Sequence, residues 1–103
     1  MNFEIFKERD GSFRFRLISS GQEIIKSETY TNKANCKNGI SSVKSNGISK
    51  NSYDIQETHK HKYYFNIKAK NGQIVASSVN FDQLKEAENW VKVLQKSLSD
   101  IEL

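Results

Sequence analysis

One pattern of side chains is written twice along this chain, and that repetition constrains the fold more than any single motif. Phe3-Glu4-Ile5 answers Tyr53-Asp54-Ile55, and Phe13-Arg14-Phe15-Arg16-Leu17 answers Tyr63-Tyr64-Phe65-Asn66-Ile67, both at an offset of 50. Ser27 and Tyr30 match Ser78 and Phe81, and Asn38-Gly39-Ile40 match Asn89-Trp90-Val91, at an offset of 51, so one residue is gained or lost between positions 18 and 26. With 103 residues there is room for one core only. The reading is therefore a single domain over 1–103, made of repeat 1 (1–47), a polar connector (48–52) and repeat 2 (53–103).

Within each repeat the hydrophobic period changes once. Phe3 and Ile5, then Phe13, Phe15 and Leu17, alternate with polar residues as half-buried strands do. Asp10-Gly11 and Ser20-Gly21 punctuate them, which predicts an antiparallel meander near 2–8, 12–18 and 23–28. The second copy predicts strands near 53–58, 62–69 and 73–79, with Asn71-Gly72 as a two-residue hairpin turn. Leu84, Ala87, Val91, Leu94 and Leu98 then recur at helical spacing and predict a helix over 83–98 capped by Asp82. Cys36, Ile40 and Val43 mark a counterpart over 32–45 after a Thr31 or Asn32 cap, although Gly39 in its middle costs about 1 kcal/mol relative to alanine. Equivalent positions meet across a pseudo-twofold axis, so Trp90 is expected to cover the space left by Gly39. Leucine at position 39 is then expected to overpack that space.

Phe3-Glu4-Ile5-Phe6, Phe13-Arg14-Phe15-Arg16-Leu17, Ser27-Glu28-x-Tyr30 and Asn38-Gly39-Ile40-x-Ser42-Val43 together resemble the signature of the YegP-like family, small bacterial proteins of uncharacterised function. The run Tyr63–Val75 resembles the tandem copy found in that family. The resemblance covers nearly the whole chain and implies an α+β fold: β(3)-α(-β) repeats sharing one antiparallel sheet, two helices on one face, pseudo-twofold symmetry and exchanged last strands. It implies no activity. Trp90-Val91 stands where the family pattern repeats Gly-Ile, and the tail from Ser99 to Leu103 is short.

Charge and composition narrow the functional classes. Residues 1–52 hold nine Lys or Arg against five acids, whereas 53–103 balance at seven each, an asymmetry that favours encounter with anions. A lone cysteine forms no intramolecular disulfide framework. The longest apolar runs are three residues, too short for a membrane helix, and the start lacks the basic and apolar regions of a signal peptide. A cytoplasmic setting without membrane contact is expected.

Strand parity places Glu4, Phe6, Arg14, Arg16, Gln56, Tyr64, Asn66 and Lys68 on the sheet face away from the helices. Antiparallel sheets often leave such a face to solvent, with long basic side chains shielding the aromatics. The same mixture also suits binding. The leading reading is a non-enzymatic interaction module with a protein partner, through Phe6 and Tyr64. The alternative is single-stranded nucleic acid on Phe6, Arg14, Arg16, Tyr64 and Lys68, since aromatics stack on bases and guanidinium groups take phosphate. A third reading takes Glu57, His59 and His61 as a metal set on one side of a continuous strand, although a turn is predicted at 59–61. Cys36 sits on the apolar helical stripe and reads as core, and no glycine-flanked nucleophile or phosphate loop is present. No cofactor is implied, and a tandem chain that contains its own pseudo-dimer interface is expected to be a monomer.

Overall fold

The computed structural model describes residues 1–102, so Leu103 of the tail lies outside the described residues. Strands β1 (Asn2–Lys7), β2 (Phe13–Ser19) and β3 (Gln22–Ser27) lead into helix α1 (Lys33–Asn46), and β4 (Tyr53–Glu57), β5 (Tyr63–Lys68) and β6 (Ile74–Ser78) lead into α2 (Leu84–Ser97). All six strands form one antiparallel sheet in the order β1-β2-β3-β6-β5-β4. Alternation dictates which face is apolar. Phe3, Phe15, Leu17, Ile25, Phe65, Ile67 and Ala76 are buried beneath the helices with Cys36, Ile40, Val43, Ala87, Val91, Leu94 and Leu98. Neither helix is long and apolar enough to cross a membrane.

The two repeats join at a short seam. Ile25, Lys26 and Ser27 pair with Ser78, Ser77 and Ala76, and reciprocal bonds extend the ladder, from Glu28 N–H to the Val75 carbonyl (3.3 Å) and from Val79 N–H to the Ile24 carbonyl (2.9 Å). Past Lys26 and Ser77, β3 and β6 stay paired with each other but diverge from β2 and β5. Register shifts at Leu17/Ile18 and Ile67/Lys68, nearer the hairpin turns, accompany the burial of the adjacent pairs Ile24-Ile25 and Val75-Ala76. Where the strands separate, a serine hydroxyl stands in for the missing carbonyl. Ser27 Oγ accepts from Phe15 N–H (2.9 Å) and donates to the Glu28 carbonyl (2.7 Å); Ser78 Oγ does the same for Phe65 N–H (2.9 Å) and the Val79 carbonyl (2.8 Å). Pairing resumes beyond, at Phe13 with Tyr30 and Tyr63 with Phe81, whose outer members stack on Phe15 and Phe65.

Several expectations are corrected by the local chemistry. The α2 N-cap is Gln83, in a reciprocal capping box with Glu86, because the Asp82 carboxylate pairs with Lys62 instead. At the other helix Asn32 is the cap, accepting from Asn35 N–H at 2.8 Å. Leu84 is exposed at 44%, since it opens the helix a turn ahead of Ala87, where the buried stripe begins. Asn71-Gly72 is not a two-residue turn: Asn71 Oδ1 accepts from Gln73 N–H, leaving Gly72 alone with positive φ in a three-residue loop closed by Ala69 and Gln73. The two-residue turn is Ser20-Gly21, with positive φ at both positions.

The largest correction concerns the pseudo-axis. A Cβ on Gly39 would stand 2.1 Å from the Tyr30 hydroxyl and 3.0 Å from the Phe15 ring, so Tyr30 of the same repeat occupies this space and Trp90 does not. The large-small complement across the axis is Gly47 with Leu98, another equivalent pair at the offset of 51: a Cβ on Gly47 would lie 2.3 Å from Leu98 Cδ1. Nor do the repeats exchange final strands within the described residues. After each helix comes a single 3-10 turn, Lys50–Ser52 or Leu98–Asp100, and the second carries buried Leu98 and Ile101 against α1, where the Lys44 ammonium bonds the Ile101 carbonyl.

Two substitutions test this account. Ser27→Ala leaves the buried Phe15 N–H without its acceptor and should lower stability by about 1–3 kcal/mol in urea denaturation. Gly39→Ala should destabilise by about 1–3 kcal/mol, outweighing the roughly 1 kcal/mol gained in helix propensity, with part recovered by Tyr30→Phe and none by Trp90→Phe; equal recovery from both would remove Tyr30 as the cause.

Candidate binding surface on the helix-free sheet face

With both helices on one side, the other side of the sheet is open. One transverse row crosses all six strands through direct cross-strand partners: Glu4, Arg16, Lys26, Ser77, Asn66 and Asp54. Charges fill its first half and uncharged polar groups most of its second. Arg16 bonds Glu4 at 3.0 Å and lies 3.9 Å from Glu23, while its guanidinium sits 5.2 Å from the Phe6 ring centroid. Lys26 approaches the same ring at 5.7 Å. Phe6 is thus half-buried under two cations of its own chain.

The remaining predicted residues are placed as follows. Arg14 lies 3.5 Å from Glu8 and bonds the Thr29 hydroxyl at 3.2 Å, and Lys68 lies 3.3 Å from Asp54. Tyr64 is half-buried opposite Gln56. Asn66 is 8% exposed, its side-chain carbonyl accepting from Ser77 Oγ at 2.6 Å. Between the repeats lies a shallow depression of about 330 Å³, lined by Arg14, Lys26, Glu23, Glu28, Ser77 and Val79 among others. Arg14, Arg16 and Lys68 each have a carboxylate within 4.0 Å, so the face is of mixed sign and not a basic field. The basic excess of the first half lies elsewhere, on α1, whose Lys33, Lys37 and Lys44 have no acid in the same helix.

Glu57 and His61 meet across the β4–β5 turn at 2.8 Å, with His61 at φ 60°, the place Gly11 holds in the first repeat. His59 does not join them: no three His, Cys, Asp or Glu side chains gather as metal ligands among the described residues. Cys36 is fully buried, and burial pushes its thiol pKa up, which disfavours the nucleophilic thiolate. Parity does not assign Lys26 to this face, because the register shift at Leu17/Ile18 interrupts the alternation along β3.

A family model described as "Domain of unknown function (DUF1508)" matches this chain twice, over residues 8–54 and 59–100, one match for each repeat. The chain belongs to the DUF1508 family. It is similar to the UPF0339 protein YegP of Yersinia pestis, 35% identical over 102 residues that span 97% of this chain and 91% of the relative. A UPF0339 protein from the 5′ region of the ptx operon of Stutzerimonas stutzeri is 41% identical over 77% of this chain and 72% of its own. Two solution NMR structures of family members superpose with a TM-score of 0.87 each. The UPF0339 protein of Shewanella oneidensis is 31% identical, with 95% of this chain and 84% of its own covered, and the Escherichia coli protein of unknown function yegP is 34% identical, with 97% and 87% covered. DUF1508 is thus a family of shared fold without an assigned activity, and nothing in these relatives indicates catalysis.

In the native DUF1508 fold the Cys36 thiol should be inert to a water-soluble disulfide reagent and should titrate as one thiol once denatured; fast native reaction would show that the helix opens over the core.

Proposed function

We propose that this chain is a small non-enzymatic module that binds a protein partner through the helix-free face of its sheet, centred on Phe6 and Tyr64. What supports this most is the state of the face cations: Arg14, Arg16 and Lys68 each already stand beside a carboxylate. Binding of single strands along a phosphate backbone draws on a positive groove and on aromatic faces free to stack. Here three of the four face cations are locally neutralised, Lys26 alone forming no salt bridge among the described residues, and Phe6 lies beneath Arg16 and Lys26, so the nucleic-acid alternative has less support. Half-buried Phe6, Ile18, Tyr64 and Val79 between paired charges resemble the mixed composition of a non-obligate protein interface. The module works as a monomer in the cytoplasm, each repeat supplying the other's interface, in keeping with one buried cysteine.

The test is a tagged pull-down from the source lysate, half of it nuclease-treated, run beside a Phe6→Ala/Tyr64→Ala variant of unchanged melting temperature. A near-stoichiometric companion that survives nuclease and is lost from the variant supports the reading. Nucleic acid that disappears with nuclease or in high salt would replace it with the alternative, because released counterions make phosphate binding fall steeply with ionic strength.

A further inference from the structure

The fold's own symmetry singles out a crevice on the opposite side of the molecule. Between edge strand β4 and helix α2 lies a space of about 170 Å³ lined by Lys50, Ile55, Glu88, Val91, Lys92 and Gln95. Through the repeat offsets these positions correspond to Ile101, Ile5, Lys37, Ile40, Ser41 and Lys44. In the first half that set holds a filler: Ile101 of the tail is buried in the core and the Lys44 ammonium donates to its carbonyl. In the second half the residue at Ile101's place is Lys50, which is exposed, and the space stays open above buried Val91 and half-buried Ile55. The molecule therefore displays, in one repeat, the kind of segment that the equivalent site of the other lacks.

We infer that the β4–α2 crevice binds an extended peptide segment of another protein, one that carries a branched aliphatic residue beside a carboxylate. The aliphatic side chain takes the Ile55–Val91 floor, as Ile101 takes its own site. The Gln95 amide donates to the peptide carbonyl, standing where Lys44 stands in the first repeat. The carboxylate lies by Lys50 and Lys92, neither of which forms a salt bridge among the described residues, and Glu88 is the sole acid lining the crevice. The lining thus carries a net positive charge, and the internal template Ile101-Glu102 has the matching order of apolar and acidic groups. Phe6 and Tyr64 take no part, so this contact stands or falls independently of the outer sheet face.

The probe is a synthetic peptide of residues 97–102, titrated to about 1 mM into the isotope-labelled full chain and followed by amide chemical shifts. Saturable shifts are expected at Ile55, Val91 and Gln95, with affinity about tenfold lower for a peptide bearing Asp in place of its Ile. Lys50→Ile, which supplies the missing filler in cis, should cut affinity about tenfold without lowering the melting temperature. Gln95→Ala, which leaves the apolar floor untouched, should weaken binding even if Lys50→Ile fails to fold. Shifts confined to Ile5, Ile40 and Lys44 would mean that the peptide merely displaces the chain's own tail, and would overturn the inference. So would the absence of saturation, or affinity indifferent to the peptide's Ile→Asp change and to Gln95→Ala.

Discussion

Everything in this molecule is arranged around the short antiparallel ladder that joins β3 to β6. Because Lys26 faces Ser77 at its centre, the two meanders are related by an approximate twofold axis through that point, and a twofold normal to a sheet keeps both helices on the same face. The opposite face is left without cover. Past the centre of the ladder β3 and β6 diverge for a few residues from β2 and β5, and Ser27 and Ser78 satisfy the buried backbone donors that this would otherwise orphan. Two hydroxyls thus make the seam compatible with a dry core.

Near-symmetry creates a packing problem at the axis, where like meets like. Two large residues would collide there and two small ones would leave a void. The chain resolves this with Gly47 against Leu98. The same asymmetry spreads outward through the segments that follow the helices: one ends in a 3-10 turn and a lysine-bearing connector, the other in a tail that buries Leu98 and Ile101. Differences between the copies run through the helices as well, Gly39 against Trp90 among them, while the strand-core pairs Phe15/Phe65 and Leu17/Ile67 stay apolar and fully buried.

The strands and helices were legible because alternation and helical period record burial, and burial is decided locally once one face of each element is apolar. Ser27 and Ser78 were legible as matching positions, yet their task was not, since it depends on where two strands diverge. The same limit explains the pairing of Arg16 with Glu4, which follows from cross-strand register. Asp82 was a reasonable cap by type, but Lys62 of another element claims it. The choice between Gly39 and Gly47 as the axis residue turns on how α1 lies across the sheet, which its own periodicity does not record. The same offset of 51 sets Gly47 opposite Leu98 and Lys50 opposite Ile101.

The route of the tail has a bearing on how the chain acquires its structure during synthesis. Helix α1 packs against a turn made much later, its Lys44 being joined to the Ile101 carbonyl across 57 residues of chain. The first repeat cannot complete its hydrophobic seal until the second helix and the turn after it have been made, so its apolar surface stays partly open throughout translation of the second copy. Contacts that join the beginning and end of a chain carry the greatest loop-closure entropy and delay the cooperative step. Duplication has thus given this fold two similar halves whose cores close together.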